Sequence, residues 1–165
     1  MTQGGTSTMP SAQELIAGIE QAGEEYARFI ETQSEEAFHR RPAEEEWTAA
    51  ELTGHVAEFP ATFAEQARRL AESPGLKIGR MLDDPGRLAA VARLAGAGPA
   101  DAARAVRATV HQAVSTLRGI PGSAWDVRGQ HPRYGDMSLA YLVEHFVLDH
   151  LRDHLKQAQA AVGAN

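Results

Sequence analysis

The sequence predicts an all-α protein, a four-helix bundle, and two observations favour that class. Hydrophobic residues make up 43% of the 165 positions while aromatic residues make up only 6%, and alanine, leucine, glutamate and arginine dominate, a mixture that favours helix over strand. Four long segments also carry apolar residues every three or four positions, which is the period of an amphipathic helix. We expect a flexible tail over residues 1–10 and a single domain over residues 11–162, with a long crossover between the second and third helices.

The first helix is predicted from Ser11 to about Glu36, and Pro42 then interrupts its pattern. Its apolar face recurs with helical spacing, at Leu15, Ile19, Ala22, Tyr26, Phe29 and Ile30. This face is expected to pack in the core of the bundle.

The second helix is predicted from Ala49 to about Glu72. Thr48 and Glu51 form a capping box at its start, in which each side chain can satisfy a backbone N–H at the helix end. Pro60 lies inside the pattern and removes a backbone hydrogen bond, so we expect a kink about one turn past His55.

A Pro/Gly-rich connection over residues 72–86 leads to the run RLAAVARLAGAG, which holds only a short helix before its glycines stop it. Pro99 suits the first turn of a third helix that ends at about Arg118. A long loop over residues 119–137 follows. Ser138 is a ready N-cap for the fourth helix, which is expected to end at about Ala161.

Composition and charge exclude several classes of function. The formal net charge of -6 repels phosphate backbones, so we expect no nucleic-acid partner. The first residues contain neither positive charge nor an apolar run, and no stretch approaches the length of a membrane helix, so we expect a cytoplasmic protein without a membrane partner. The chain has no cysteine, so any metal must be bound by His, Asp or Glu.

Three of the seven histidines lie close together in the fourth helix. His150 and His154 are four residues apart and project from one face, and the same apolar stripe contains Leu139, Val143, Phe146 and Gln157. Both imidazoles should therefore point into the bundle, whereas His145 lies nearly opposite, toward solvent or a partner. On the second helix, His55 lies at the edge of an apolar stripe and can also face inward.

Two interpretations of these inward histidines remain open. Each could be a hydrogen-bonded core residue, but burying three imidazoles without a shared partner costs desolvation three times, whereas one divalent cation satisfies all three nitrogens. Three nitrogen ligands leave a coordination position for water or substrate, which is typical of catalytic sites. His150 and His154 lack the glutamate of an HExxH metalloprotease, and the chain does not have the two Glu-x-x-His pairs that a di-iron bundle requires, since only Glu36 and His39 stand at that spacing.

Other polar residues near these positions have less specific patterns. Glu58 is the best carboxylate for an added ligand or base, although a surface glutamate is the simpler interpretation. Asp149 and Asp153 are expected to be solvated or helix-pairing charges. His39 and His111 are interpreted as structural or surface residues.

Three loop residues precede the fourth helix and have two possible roles. Trp125, His131 and Tyr134 either close the mouth of a site or form a hydrophobic plug at the end of the bundle. The sequence does not distinguish these roles.

Two segments together resemble the DinB/YfiT-like superfamily of metal-binding four-helix bundles: EEEWTAAELTGHVAEF at residues 44–59 and HPRYGDMSLAYLVEHFVLDHLRDHLKQ at residues 131–157. The shared pattern is a Trp before a capped helix that carries Gly-His, then His-Pro, and then a helix with two histidines and a glutamine. The resemblance extends from about residue 11 to residue 160. It implies a divalent metal (Zn, Ni or Fe) bound by His55, His150 and His154.

Some members of that superfamily are transferases or isomerases that use the thiols mycothiol, bacillithiol or glutathione. In the maleylpyruvate isomerase branch a glutamate replaces one histidine of the fourth helix. This chain has histidine there, which places it outside that ligand pattern.

The resemblance therefore implies a metal-dependent, thiol-dependent S-transferase or hydrolase that acts on a small electrophilic substrate, with a low-molecular-weight thiol as possible co-substrate. The alternatives are a non-catalytic metal or small-molecule binding protein of the stress response, and a structural bundle whose histidines bind no metal. A homodimer is possible, because members of the superfamily often pair through helix faces.

Overall fold

The structure is a computed structural model that describes residues 10–79 and 84–163. In chain order its helices are α1 (Ala12–Glu31), α2 (Glu35–His39), α3 (Ala49–Val56), α4 (Phe59–Glu72), α5 (Pro85–Leu94), α6 (Pro99–Arg118), a 3₁₀ turn (Gly122–Ala124), α7 (Leu139–Val143), a π-helix (Glu144–Asp149) and α8 (His150–Gly163). Four helical segments surround one hydrophobic core: α1, α3 with α4, α6, and the run from α7 to α8. The predicted all-α four-helix bundle is confirmed.

Parts of two predictions lie outside the described residues. Of the predicted tail, the structure describes only Pro10. Within the crossover, residues 80–83 lie outside the described residues. The domain boundaries at residues 11 and 162 stay a prediction. In the part of the chain that the structure describes, no helix is both long enough and apolar enough to cross a membrane.

Polar caps fix the starts of the two helical segments that carry the histidines, α3 and the run from α7 to α8. Thr48 caps α3 in a reciprocal box with Glu51, and Ser138 caps α7 by accepting a hydrogen bond from the Tyr141 N–H. Both caps confirm the sequence prediction. The first helix, by contrast, ends at Glu31 rather than near Glu36, because the chain turns and α2 begins with its own cap.

The second predicted helix is broken rather than kinked. Segment α3 ends at Val56 and α4 begins at Phe59, with Pro60 in the first turn of α4. Proline has no N–H to donate to the carbonyl group of Val56, and its ring clashes with that turn of an uninterrupted helix. The break leaves Phe59 at the start of a new helix, fully buried.

The crossover helix α5 packs closely across α3, and Gly54 makes this approach possible. A Cβ atom on Gly54 would lie 2.8 Å from Val91 Cα and 2.9 Å from the carbonyl oxygen of Ala90. A glycine inside a predicted helix thus has a packing reason.

The predicted loop before the fourth helix contains a β-hairpin, so the sequence prediction was wrong in this region. Strand β1 (Arg128–His131) pairs antiparallel with β2 (Gly135–Ser138). The crossover segment adds to the hairpin, since the Ile78 N–H donates to the Gln130 carbonyl at 3.0 Å and the Gln130 N–H donates to the Leu76 carbonyl at 2.9 Å. Strands this short lack the alternation that makes a strand recognisable, and their pairing depends on a segment about fifty residues away in sequence.

The fourth helix was predicted as one continuous α-helix, but residues Glu144–Asp149 form a π-helix. Hydrogen bonds in a π-helix join residues five apart rather than four. The side chains before this turn are therefore rotated relative to those after it, compared with a regular helix.

One buried hydrogen-bond chain ties α1 to α3. The fully buried Tyr26 donates its hydroxyl hydrogen to Thr53 Oγ1 at 3.1 Å, because the Thr53 hydroxyl hydrogen is already donated to the carbonyl of Ala49 at 2.7 Å. Burial raises the pKa of Tyr26, so the donor keeps its hydrogen. The chain holds α3 in place two residues before His55.

Replacing Tyr26 with Phe tests this contact. We expect Tyr26→Phe to lower the free energy of unfolding by about 1 kcal/mol, because it removes one buried hydrogen bond without creating a large cavity. Urea unfolding measures the change. The control is Tyr141→Phe at an exposed position, which should leave stability unchanged; equal effects of the two substitutions would contradict the role of the hydroxyl.

Candidate metal centre

Three histidines from two distant parts of the chain meet inside the bundle. His55 lies in the last turn of α3, and His150 and His154 lie in the first two turns of α8. One nitrogen atom of each ring can be chosen so that all three lie within 4.8 Å of one another, a group that could hold a metal ion. His55 and His154 are 3% and 8% exposed, and His150 is half-buried.

The spacing of the nitrogens fits a small divalent cation. Nε2 of His55 and Nε2 of His150 lie 3.4 Å apart, and two nitrogens at about 2.0–2.1 Å from a tetrahedral Zn²⁺ are separated by about 3.3–3.4 Å. A pair of nitrogens at the 4.8 Å limit of the group would have to approach by about 1.4 Å to reach the same geometry.

Gln157 determines which nitrogen of His154 is available. Nδ1 of His154 lies 2.9 Å from Oε1 of Gln157, and an amide oxygen only accepts, so Nδ1 carries the hydrogen. Nε2 of the neutral ring then presents a lone pair. This atom is buried and has no hydrogen-bond partner among the described residues, a cost that a bound cation would offset.

Phe59 forms the apolar floor of the group. Its ring stacks on His150 with 4.5 Å between centroids and lies 5.1 Å from His55 and 5.9 Å from His154. The break before α4 places this ring there. Water is therefore excluded from one side of the three imidazoles.

Burial keeps the imidazoles of α8 neutral. Desolvation, with a smaller effect of the neighbouring His154 charge, lowers the pKa of His150 to about 4, and desolvation also lowers the pKa of His154. Neutral imidazole is the form that binds metal. At neutral pH both rings have lone pairs available for coordination.

A cavity of about 980 Å³ opens beside the histidines. His150 and His154 line it, and so does His145, which is half-buried. The prediction that His145 points away from the other two was therefore wrong. The π-helix is the reason, since its wider turn brings His145 and His150, five positions apart, onto neighbouring parts of one helix face.

The hairpin supplies the other side of this cavity. His131 and Tyr134 both line it, while Trp125 is buried elsewhere, beside a different cavity against α1 and the end of α6. Nδ1 of His131 accepts the backbone N–H groups of Arg133 and Tyr134, at 3.1 and 3.3 Å. Of the three loop residues, two thus lie at the mouth of the site and one packs in the core.

The carboxylates near the histidines are engaged with other groups. Asp149 pairs with Arg152 at 3.7 Å and Asp153 with Lys156 at 3.4 Å along the helix surface, as expected for helix-pairing charges. Glu58 accepts the Thr62 hydroxyl hydrogen at 2.6 Å and does not belong to the group that could hold a metal.

His39 and His111, which were interpreted as structural or surface residues, lie away from the three histidines. His111 is exposed, and the half-buried His39 makes its contacts within its own short helix, at Glu35. Neither lies in the three-histidine group.

A second cavity, of about 580 Å³, is also lined by His154 and Gln157. Trp47 and Arg87 form part of its wall, with the guanidinium carbon of Arg87 5.0 Å from the centroid of the Trp47 ring. The Trp47 ring lies 6.0 Å from that of His55. Sequence reasoning did not identify Arg87, because α5 reaches the site only through its packing on α3.

Comparison with known protein families identifies a family for this chain. A family model described as the DinB superfamily matches residues 19–158, a range that includes all three histidines of the group. No curated protein matches the chain.

The pH dependence of stability tests the burial of His150. In metal-free protein we expect the free energy of unfolding to fall as the pH is lowered from about 6.5 to about 4, because the unfolded chain then binds a proton that folded His150, with its pKa lowered from 6.5 to about 4, does not. Urea unfolding in the presence of a chelator measures this at each pH.

The comparison variant is His150→Phe, which keeps a ring against Phe59 but cannot titrate. It should show a smaller fall than the wild type over the same pH window. His111→Phe, at an exposed position, should keep the wild-type slope. A fall of the same size in His150→Phe would contradict the assignment.

Proposed function

We propose that this chain, which belongs to the DinB superfamily, is a divalent-metal-dependent enzyme that joins a low-molecular-weight thiol, or water, to a small electrophilic substrate. The observation that carries the proposal is the group formed by His55, His150 and His154, three imidazoles that share one space beside an open cavity. Zn, Ni and Fe all suit such ligands.

In this proposal the three histidines hold the ion through nitrogen atoms and leave room on the cavity side for a reactant. When bound, the ion would act as a Lewis acid that lowers the pKa of a thiol or water, so that the nucleophile is an anion near neutral pH. The donor set supports this role, because three neutral nitrogens leave most of the charge of the ion for the nucleophile.

The residues around the histidines orient and isolate the reactants. Gln157 fixes the orientation and tautomer of His154, and Phe59 keeps water from the floor of the group. A dry floor strengthens electrostatic interactions at the reacting atoms. In the thiol reaction the sulfur forms a bond to the electrophilic carbon, the leaving group departs with its electron pair, and the thiol proton is released to solvent.

A non-catalytic metal or small-molecule binding protein of the stress response is the second candidate. It is favoured by the composition of the group, which contains histidines but no carboxylate as a general base, among the described residues. Turnover separates the two candidates. The cytoplasm as location and a homodimer as assembly stay predictions from the sequence.

Metal content and turnover test the proposal together. We expect wild-type protein to bind about one equivalent of Zn²⁺ or Ni²⁺ by plasma mass spectrometry, and the double variant His150→Ala, His154→Ala to lose it, because one remaining imidazole does not retain the ion. The loaded protein should then accelerate the reaction of glutathione or a similar thiol with 1-chloro-2,4-dinitrobenzene, followed as chloride release.

The matched control is the double variant His39→Ala, His111→Ala, which removes two histidines outside the group and should keep both metal and activity. Metal binding without turnover with any thiol or with water would favour the binding protein. A wild-type chain that takes up no added Zn²⁺, Ni²⁺ or Fe²⁺ would overturn the proposed enzyme and also the metal-binding form of the second candidate.

Gln157 provides a second test of the same site. We expect Gln157→Ala to weaken Zn²⁺ binding about 10-fold to 100-fold, because the His154 ring loses the acceptor that fixes its orientation. Competition with a chromophoric chelator at pH 7 measures the affinity. Gln157→Glu restores an acceptor and should bind Zn²⁺ at least as tightly as wild type, whereas equal affinity of all three proteins would show that the contact has no such role.

A further inference from the structure

We infer that the cavity beside the three histidines takes a flat, conjugated or aromatic substrate that carries a negative charge, and that Arg133 binds this charge. The inference rests on the proposed function for the reacting end of the substrate. The part of the substrate remote from the reaction is deduced from the walls of the cavity.

One wall consists of aromatic rings held in place by other rings. Phe146 lies between Phe63, at 5.0 Å and 15°, and His131, at 5.1 Å and 17°. His145 is stacked on Tyr141 at 5.5 Å and 8°. These rings are already packed on one another, so a ligand need not order them, and the entropic cost of binding is reduced.

The chemistry of this wall favours a flat ligand. Tyr134 forms T-shaped pairs with His145 and Phe146, with ring centroids at 5.4 and 5.8 Å and planes inclined at 76° and 66°, so this wall presents ring edges as well as ring faces. The edges of aromatic rings carry partial positive charge and attract the electron-rich faces of other conjugated groups. A planar unsaturated group fits this wall better than a branched aliphatic one.

The charges around the cavity are unevenly paired. Arg152 and Lys156 each have an aspartate as ion-pair partner, at 3.7 and 3.4 Å. Arg133, the third cation of the lining, makes no ion pair with residues 10–79 or 84–163, and its guanidinium carbon lies 5.6 Å from the Tyr134 ring centroid. A protein with a formal net charge of -6 thus has an excess positive charge at this opening, which favours an anionic ligand.

The main chain at Arg133 is fixed although its side chain is exposed. Arg133 lies in the turn between β1 and β2, and its backbone N–H donates to His131 Nδ1 at 3.1 Å. The Arg133 side chain therefore extends from a defined point of the rim, beside the aromatic wall. Because the group is exposed, its contribution to affinity is expected to be modest and sensitive to salt.

Two matched probes test this arrangement on Co²⁺-loaded full-length protein. We would use 4-(mercaptomethyl)benzoate and 4-(mercaptomethyl)benzamide, which share the thiol and the ring and differ by one negative charge. The visible spectrum of Co²⁺ reports the ion and the arrival of the thiol sulfur. In wild type at low salt, the benzoate should bind about threefold to tenfold more tightly than the benzamide, and both more tightly than 2-mercaptoethanol.

Substitutions distinguish the contribution of Arg133 to this preference from the contribution of the other charges around the cavity. Arg133→Gln should abolish the preference for the benzoate while leaving benzamide affinity and the Co²⁺ spectrum unchanged. Arg133→Lys should keep part of the preference. The control Arg152→Gln, which removes a cation already paired with Asp149, should keep nearly all of it.

Each contrary result overturns a different statement. A preference that survives in Arg133→Gln removes Arg133 as the anion-binding residue, and probes that bind no better than 2-mercaptoethanol overturn the aromatic wall as a binding surface. Absence of Co²⁺ binding in wild type overturns the proposed function instead. In that event calorimetry of both probes with the metal-free proteins decides the inference: a preference for the benzoate that depends on Arg133 sustains it, and no such preference overturns it.

Discussion

The ring of Phe59 packs against all three histidines, and the arrangement of the site depends on this contact. Phe59 is fully buried and stacks most closely on His150, at 4.5 Å between centroids. It occupies this position because Pro60 ends one helix and starts the next. In an uninterrupted helix the Phe59 side chain would project in a different direction relative to the histidines. The break thus provides an apolar floor, and the low polarity there helps to keep the imidazoles of His150 and His154 neutral.

The opposite wall of the site depends on contacts between segments far apart in sequence. The hairpin is held by backbone hydrogen bonds to the crossover segment around Leu76 and Ile78. Close by, Gly79 has a φ of 94° and its backbone approaches His131 so closely that a Cβ atom would lie 2.3 Å from Nε2 of that ring. Any larger residue there would displace His131 and, with it, the ring stack that includes Phe146. The crossover therefore shapes the cavity, although none of its described residues lines it.

Two cavities meet at His154 and Gln157. One has a wall of rings and a cation, Arg133, that makes no ion pair with the residues that the structure describes, and the other has Arg87 stacked on Trp47. A reaction between a nucleophile and an electrophile needs two reactants brought to one point in a fixed orientation. Two openings that share a histidine suit such a reaction better than a single closed pocket does, and this supports the proposed function.

Local patterns in the sequence were sufficient for the four long helical segments and for the three candidate histidines. Caps at Thr48 and Ser138, the interruption at Pro60, which was predicted as a kink, and the four-residue spacing of His150 and His154 depend on neighbours in the chain, so they can be recognised without a fold.

The position of His145 and the existence of the hairpin could not be recognised in this way. The choice of a π-helix turn over an α-helix turn leaves no mark in side-chain periodicity, and the short hairpin pairs along β1 with a crossover segment that is remote in sequence. The sequence by itself thus determined the bundle and the candidate ligands. The tertiary structure decided the shape and charge of the cavity into which they open, because those properties arise from contacts between segments that are remote in the chain.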